Sequence, residues 1–284
     1  MFVNNAVSVR PIIVSLILCY LSLLGYHHLQ RSQPVEQEEV LASAEFEDEF
    51  PEELVSLTAS KKPKPIKAAS LPKKKSKRFD FKPGTLPKLA PRSLAGDDLY
   101  RFYTDQAERL GMRVEGLTVL GFRGLSPEGA RHPSGDNASN YDDTFVILNP
   151  AQKSVIELLG STHAGQFTST LSPDGVAQIK PGRYQAFPCG EYADMPCWLV
   201  VTPTGDESVP CWRDANGNGY IDPEEKVGQL RATEILFHNG RYQEYGSSIG
   251  CQVLPPDLME RFISEIGRQN SFEYLLIDAN QKFR

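Results

Sequence analysis

Apolar residues after residue 96 occur mainly in short runs separated by glycine and proline, a pattern typical of a β-rich domain. Helical spacing of apolar residues predicts one helix from Asp97 and a second from Pro256. We therefore predict a mainly β, β-rich α+β fold, a sandwich or barrel with peripheral helices. The apolar runs predict strands at 117–122, 144–149, 154–160, 165–171, 182–187, 197–202, 234–238 and 272–278.

The first 95 residues follow a different pattern, which predicts an anchor followed by a linker. Arg10 precedes an uncharged apolar run, 12–26, whose length is typical of a signal-peptide core. Acidic residues dominate 36–53, and lysine and proline dominate 61–92, so neither segment can bury enough apolar surface to fold. We predict a signal anchor or signal peptide in 1–30, a disordered acidic-then-basic linker in 31–95 and a folded domain in 96–284.

The predicted targeting segment places the domain outside the cytoplasm. An uncleaved anchor would tether it to the cytoplasmic membrane with the domain in the periplasm, whereas cleavage would release it as a secreted protein. The basic segment 61–92 has 12 basic residues and one acid, which suits contact with anionic lipid or an anionic wall polymer. The remainder, 93–284, has 26 acidic and 16 basic residues, which argues against nucleic acid as a partner.

Four cysteines follow the apolar run, and an exported compartment permits disulfides between them. Cys197 and Cys211 flank a stretch that predicts a hairpin, so a bridge across its base is one pairing. Cys189 with Cys197 is the rival pairing. The sequence leaves both open.

The stretch DANGNGYIDPEE, 214–225, has the spacing of a calcium-binding loop. Oxygen ligands fall at positions 1, 3, 5, 7, 9 and 12, and Gly219 supplies the sharp turn at position 6. A predicted strand precedes the loop and a poor helix follows it, so we expect an insertion in a β domain rather than an EF-hand. We predict a structural Ca²⁺ held by Asp214, Asn216, Asn218, Tyr220 through its carbonyl, Asp222 and Glu225.

The stretch HNGRYQEYGSSIGC, 238–251, raises the possibility of cysteine catalysis. Such chemistry needs a thiolate, an imidazole and backbone amides that hold the oxyanion. His238 ends a predicted strand, and Cys251 stands just ahead of a predicted helix. Gly250 allows close approach of a substrate, and Ser248 can bond the thiolate or the backbone. On spacing alone, a buried structural thiol is the alternative.

A histidine, a short loop and Ser-x-Gly-Cys resemble the catalytic signature of the L,D-transpeptidase (YkuD-like) family of cell-wall enzymes. VIELLGST followed by IKPGRYQAF is similar to that family's strand, turn and Pro-x-Gly-Tyr/Phe hairpin. The likeness spans about 143–277, with the calcium loop as an insertion. Ile249 stands where the family usually has histidine, Val253 where arginine or asparagine is common, and the His-to-Cys interval is shorter than usual.

The resemblance implies an L,D-transpeptidase-like fold and an acyl-transfer enzyme, either a transpeptidase or a hydrolase, that acts on peptidoglycan stem peptides. By position, Cys251 is the nucleophile, His238 its base, and Ser248 and Gly250 frame the oxyanion site. The alternative is a non-catalytic, calcium-stabilised envelope-binding or scaffold protein.

Overall fold

The computed structural model of the protein describes residues 78–134, 140–165, 174–241, 243 and 248–284. The predicted anchor and most of the predicted linker lie outside these residues. Within them, neither helix has the length and apolar character needed to cross a bilayer.

The described residues form two helices and eleven strands, so the mainly β prediction is confirmed. The predicted strand 165–171 falls mostly outside the described residues, whereas β4, β8 and β10 are strands that the sequence pattern did not predict. The helices are α1 (Gly96–Arg109) and α2 (Pro256–Ile266); the strands are β1 (Thr118–Arg123), β2 (Asp143–Asn149), β3 (Ser154–Gly160), β4 (Val176–Ile179), β5 (Gly182–Tyr192), β6 (Met195–Val201), β7 (Val209–Asp214), β8 (Arg231–Ala232), β9 (Leu236–Asn239), β10 (Gln252–Leu254) and β11 (Phe272–Asp278).

Eight strands form one sheet that nearly closes into a barrel, in the order β10-β9-β6-β5-β11-β1-β2-β3. Ser161, just after β3, makes an antiparallel bridge to Val253 of β10, with both amide-to-carbonyl distances at 2.8 Å. This bridge joins the two edge strands of the sheet. A second sheet has three strands in the order β4-β7-β8.

Aromatic side chains fill the core under α2. Trp198 packs edge-on against Phe262 of α2, and the rings of Phe237 and Phe262 are stacked 5.7 Å apart. The Trp198 indole N–H donates to Asn270 O at 2.8 Å, so this fully buried side chain has its hydrogen bond. Because Phe237 lies in β9, the packing of α2 fixes the strand that carries His238.

Residues 78–95 belong to the folded domain, which corrects the predicted linker boundary at 95. Phe81 is buried and contacts both Phe102 of α1 and Phe283 near the end of the chain. The Ala90 amide donates to the Tyr103 hydroxyl at 3.0 Å. The high lysine and proline content of this region obscured a few apolar residues that are enough to hold it against α1.

Cys197 and Cys211 do not flank a hairpin, which corrects that prediction. Strand β6 pairs with β5 and β9, whereas β7 pairs with β4 and β8 in the other sheet. Cys211 is buried in the core, while Cys197 Sγ lies 2.9 Å from Cys189 Sγ. The four described cysteines are all free thiols, and the geometry favours the pairing of Cys189 with Cys197.

We expect mild oxidation with diamide to link Cys189 to Cys197, because their sulfur atoms are adjacent and Cys189 is exposed. The two thiols lose two hydrogens and diamide gains them. Differential alkylation followed by peptide mass spectrometry measures the product, and Cys211→Ser should leave it unchanged. A Cys197–Cys211 peptide as the main product would contradict this expectation.

Candidate functional site

The loop before β10 positions Cys251, and its shape depends on Gly250. Gly250 has φ +147°, and a Cβ at this position would lie 2.8 Å from the Ala177 carbonyl oxygen. A side chain therefore does not fit without moving the backbone of β4. The Ala177 amide also donates to Ile249 O at 2.9 Å, so β4 holds the loop from one side.

The Cys251 thiol is partly buried and is bonded to the backbone before β9. Sγ accepts from the Leu236 amide at 3.4 Å and donates to Glu234 O at 3.7 Å. Burial raises the pKa of Cys251 to about 11, although the Leu236 amide opposes this shift. The group is therefore a protonated thiol at neutral pH.

His238 is a buried, neutral base with a defined tautomer. Its Nδ1 lies 2.7 Å from Asn239 O, and since a carbonyl can only accept, Nδ1 carries the proton. Nε2 is then the basic nitrogen. Burial lowers the pKa of His238, although the bond to Asn239 opposes this shift. The Tyr192 ring lies 4.2 Å from the imidazole, centre to centre.

The fold places Cys251 and His238 on neighbouring parallel segments but not in hydrogen-bond contact. Val253 is paired with His238, so Cys251 lies two residues back along the strand, a shift of about 6–7 Å. Among the described residues, the thiol's bonds go to Glu234 and Leu236 instead. Attack with His238 as base therefore needs a rotation of the Cys251 side chain or a local shift.

Ser248 braces the loop that carries Cys251. Its hydroxyl donates to Cys251 O at 3.3 Å and accepts from the Gly250 amide at 3.3 Å. Gly250 was predicted to frame the oxyanion site, but its N–H is engaged inside the loop. In this conformation the predicted oxyanion site is incomplete.

The predicted calcium loop adopts the turn that its spacing requires. Asp214 Oδ1 accepts from the Asn218 amide at 3.0 Å, and its Oδ2 accepts from the Gly219 amide at 2.9 Å. Asn216 Oδ1 and Asn218 Oδ1 accept from amides two residues further on, at 3.0 and 2.8 Å. The strand predicted ahead of the loop is β7, and the next element after the loop is β8, a strand rather than a helix.

The carboxylates of this loop bond to its own donors. Glu225 accepts from the amides of Ala215 and Asp222 at 2.7 and 3.0 Å. Asp222 Oδ2 accepts from the Asn216 and Asn218 side-chain amides, at 3.0 and 2.8 Å. All six predicted ligand residues thus belong to one turn.

A second polar cluster, which the sequence pattern did not predict, lies at the end of the sheet where β1 and β3 end and β2 begins. We call it the His/Asp cluster: His132, Asp142, Asp143 and His163. In three of these residues, His132, Asp142 and Asp143, the possible metal-ligand atoms all lie within 4.8 Å of one another. No other three His, Cys, Asp or Glu side chains among the described residues meet this condition. The antiparallel pairing of Asp143 with Gly160 brings His163 to the same end of the sheet. The predicted strands 144–149 and 154–160, read as an antiparallel pair, were the sequence signal that could have revealed this cluster.

The buried charges of this cluster stabilise one another. Asp143 is fully buried; burial alone would raise its pKa, but His132, His163 and Thr162 lower it to about 2. For His132, burial is outweighed by the hydrogen bond and the charge of Asp143, which raise its pKa to about 9. Arg123 is also buried and donates to Thr162 Oγ1 at 2.9 Å.

Comparisons of this chain with protein-family models, curated proteins and solved structures found no significant match. Its function is therefore argued from the chemistry of the site. The Cys251–His238 pair is the candidate active site, since it combines a nucleophile with a neutral base at the junction of the sheet edges.

Proposed function

We propose that this protein is a cysteine-nucleophile acyl-transfer enzyme of L,D-transpeptidase-like fold that acts on peptidoglycan stem peptides. The observation that carries the proposal is the position of His238 Nε2, an unprotonated imidazole nitrogen on the strand next to Cys251. A base of this kind can accept the thiol proton as the nucleophile attacks. The barrel-like sheet, the Ser-x-Gly-Cys loop and the required Gly250 support the same assignment.

In the proposed reaction, His238 Nε2 takes the Cys251 proton while Sγ attacks a peptide carbonyl carbon of the stem. The tetrahedral oxygen is held by backbone N–H groups near Cys251, with Ser248 releasing Gly250 as the loop adjusts. The C–N bond breaks, and His238 returns the proton to the leaving amine. A second amine (transpeptidation) or water (hydrolysis) then attacks the thioester, gives its proton to His238 and regenerates the thiol.

The second candidate is a non-catalytic, calcium-stabilised envelope-binding or scaffold protein. Two observations favour it: burial raises the pKa of Cys251 to about 11, and the described contacts of the thiol do not include His238. In this alternative Cys251 is an ordinary structural thiol.

Intact-protein mass spectrometry separates the two candidates. The full-length chain, with calcium and purified stem peptides, is expected to gain the mass of an acyl group through a thioester on Cys251. Cys251→Ala should lose this adduct, whereas Cys189→Ala, which removes an exposed thiol, should keep it. No adduct on the wild-type chain, or an adduct that survives Cys251→Ala, would count against the enzyme and favour the binding protein.

The substrate also determines where the protein would work. We propose an exported protein, held at the cytoplasmic membrane by 12–26 or released by signal cleavage, with the basic segment 61–92 in contact with anionic lipid or wall polymer. Such a tether would keep the domain near the peptidoglycan. Residues 12–26 and 61–77 lie outside the described residues, whereas 78–92 belong to the folded domain.

We further propose that the loop 214–225 binds one structural Ca²⁺. The support is the turn around Asp214, together with six oxygen ligands at calcium-loop spacing. A cation would draw the carboxylates of Asp214, Asp222 and Glu225 inward from their present amide donors. Its role would be to order the chain between β7 and β8.

Saturating Ca²⁺ is expected to raise the unfolding temperature of the full-length chain. At about 100 times Kd a ligand adds about 2.7 kcal/mol to the free energy of unfolding, which corresponds to roughly 5–10 °C for a domain of this size. Glu225→Gln should lose most of this shift because it removes the bidentate ligand at position 12. Glu224→Gln is the matched control; equal calcium shifts in both variants would contradict the site. Differential scanning calorimetry makes the measurement.

A further inference from the structure

The His/Asp cluster brings metal-ligating side chains together from three parts of the fold. His132 follows β1, Asp142 and Asp143 stand at the start of β2, and His163 follows β3. Asp143 and the His163 side chain are 0% and 1% exposed, whereas the His132 and Asp142 side chains are 18% and 21% exposed. The cluster is therefore buried on one side and open to solvent on the other.

Contacts at Nε2 fix the orientation of the His132 ring. Nε2 lies 2.9 Å from Asp142 O and 3.3 Å from Asp143 Oδ1, so in the neutral ring Nε2 carries the proton. Nδ1 is buried, makes no hydrogen bond with any described residue and lies 3.6 Å from Asp142 Oδ2. That distance is too long for a hydrogen bond. It suits two ligands of one tetrahedral Zn²⁺, which lie about 3.4 Å apart when each is about 2.1 Å from the ion.

The other contacts orient the two carboxylates. Asp143 Oδ1 accepts from the Gly124 amide at 2.7 Å, and its Oδ2 accepts from Thr162 N and Oγ1 at 2.8 and 2.7 Å. His163 Nε2 lies 3.1 Å from Asp142 Oδ1, and its Nδ1 lies 2.9 Å from Ala164 O. Ligands in metal sites are commonly fixed by such partners, which set their direction before the ion binds.

We propose that His132, Asp142 and Asp143 bind a divalent transition-metal ion, with His163 supporting Asp142. One imidazole and two carboxylates suit Zn²⁺, and also Fe²⁺ or Mn²⁺. The partial exposure of the His132 and Asp142 side chains gives an ion access from solvent. This site is separate from the loop 214–225, whose predicted ligands are all oxygen atoms.

The metal would also stiffen the neighbourhood of Cys251. We call residues 248–251 the cysteine loop. The segment 161–165, which contains His163, is bonded to β10 at one end and to this loop at the other: the Ser161 amide donates to Val253 O at 2.8 Å, and the Gly165 amide to Ser248 O at 3.1 Å. An ion that fixes Asp142 thus restrains His163 and, through this segment, the loop. The metal site itself does not depend on the proposed acyl transfer.

Zn²⁺ binding to the full-length chain tests the proposal. The protein is stripped with a chelator, returned to calcium-containing buffer and titrated with Zn²⁺ by isothermal titration calorimetry. We expect one Zn²⁺ per chain, and an affinity that falls by at least about 10-fold in His132→Gln and in Asp142→Asn. Glu128→Gln removes an exposed carboxylate from the same loop and should bind normally. These positions are chosen over His163 because they are partly exposed and tolerate replacement better.

A stability measurement checks the assignment independently. Zn²⁺ should raise the unfolding temperature of the wild type and of Glu128→Gln, but not that of His132→Gln. If the cluster is only a network of protonated histidines and aspartates, the wild type will bind no Zn²⁺. That result, or Zn²⁺ binding that survives both ligand variants and disappears in Cys189→Ser, would overturn the proposal.

Discussion

Alkylation of Cys251 by iodoacetamide is expected to be slow at neutral pH and to rise about tenfold per pH unit from pH 7 to 10 without a plateau. The reason is the pKa of about 11 that burial imposes on this thiol. At pH 7 a smaller fraction of Cys251 is thiolate than of an ordinary exposed cysteine, which slows its alkylation. The Cys251 thiolate is the more nucleophilic of the two because its pKa is higher, and this partly offsets the loss. The net rate should be about 20-fold lower. Peptide mapping measures the rate at Cys251 separately from the other thiols.

His238→Gln is the informative companion variant. Because the thiol is bonded to Glu234 and Leu236 and not to the imidazole, the variant should keep the wild-type alkylation profile. Formation of the acyl adduct should instead fall by about 10²–10⁴, the usual contribution of a general base. A wild-type plateau at neutral pH that vanishes in His238→Gln would instead reveal a preformed thiolate–imidazolium pair and contradict the neutral-pair arrangement.

Local patterns were enough to predict most of the fold. The last strand and the start of α2 lie where an apolar run and Pro256 indicated. The helix buries one face, whereas β11 is buried on both faces and therefore reads as a continuous apolar run. Short strands were harder. β10 has three residues, and β8 has two, so their positions depend on pairing partners that sequence periodicity does not contain.

Pairing between distant segments explains what the sequence could not predict about the site. Cys251 and His238 were found from a local motif, and the parallel pairing of β9 with β10 brings them to neighbouring strands. The orientation of the thiol toward Glu234 follows from loop geometry that the motif does not specify. The His/Asp cluster combines residues 132, 142, 143 and 163, which have no regular spacing in the sequence. They meet because the pairing of β1, β2 and β3 brings them to the same end of the sheet.

Buried charge links this cluster to the framework of the domain. Arg123 is 1% exposed; besides Thr162 Oγ1, its guanidinium donates to Ile179 O at 2.7 Å and to Thr162 O. Asp143 holds the amide and hydroxyl of the same Thr162. The two charges therefore fix Thr162 from both sides, and the segment 161–165 then fixes the cysteine loop.

Arg123→Met is expected to lower the free energy of unfolding by about 3–5 kcal/mol, because it removes a buried cation near Asp143 and the hydrogen bonds of that cation to the Thr162 and Ile179 carbonyls. Arg113→Met is the control: Arg113 has an 82% exposed side chain, so its removal should change stability by less than about 0.5 kcal/mol. Urea denaturation of the full-length chain gives both values.

The double variant Arg123→Met with Asp143→Asn tests whether the two charges are coupled. Its loss of unfolding free energy should be smaller than the sum of the two single losses, by about 0.5–3 kcal/mol, because the first change has already removed the partner charge. Strictly additive losses would mean that the two charges act independently, and Thr162 would then not be the link between the framework and the cysteine loop.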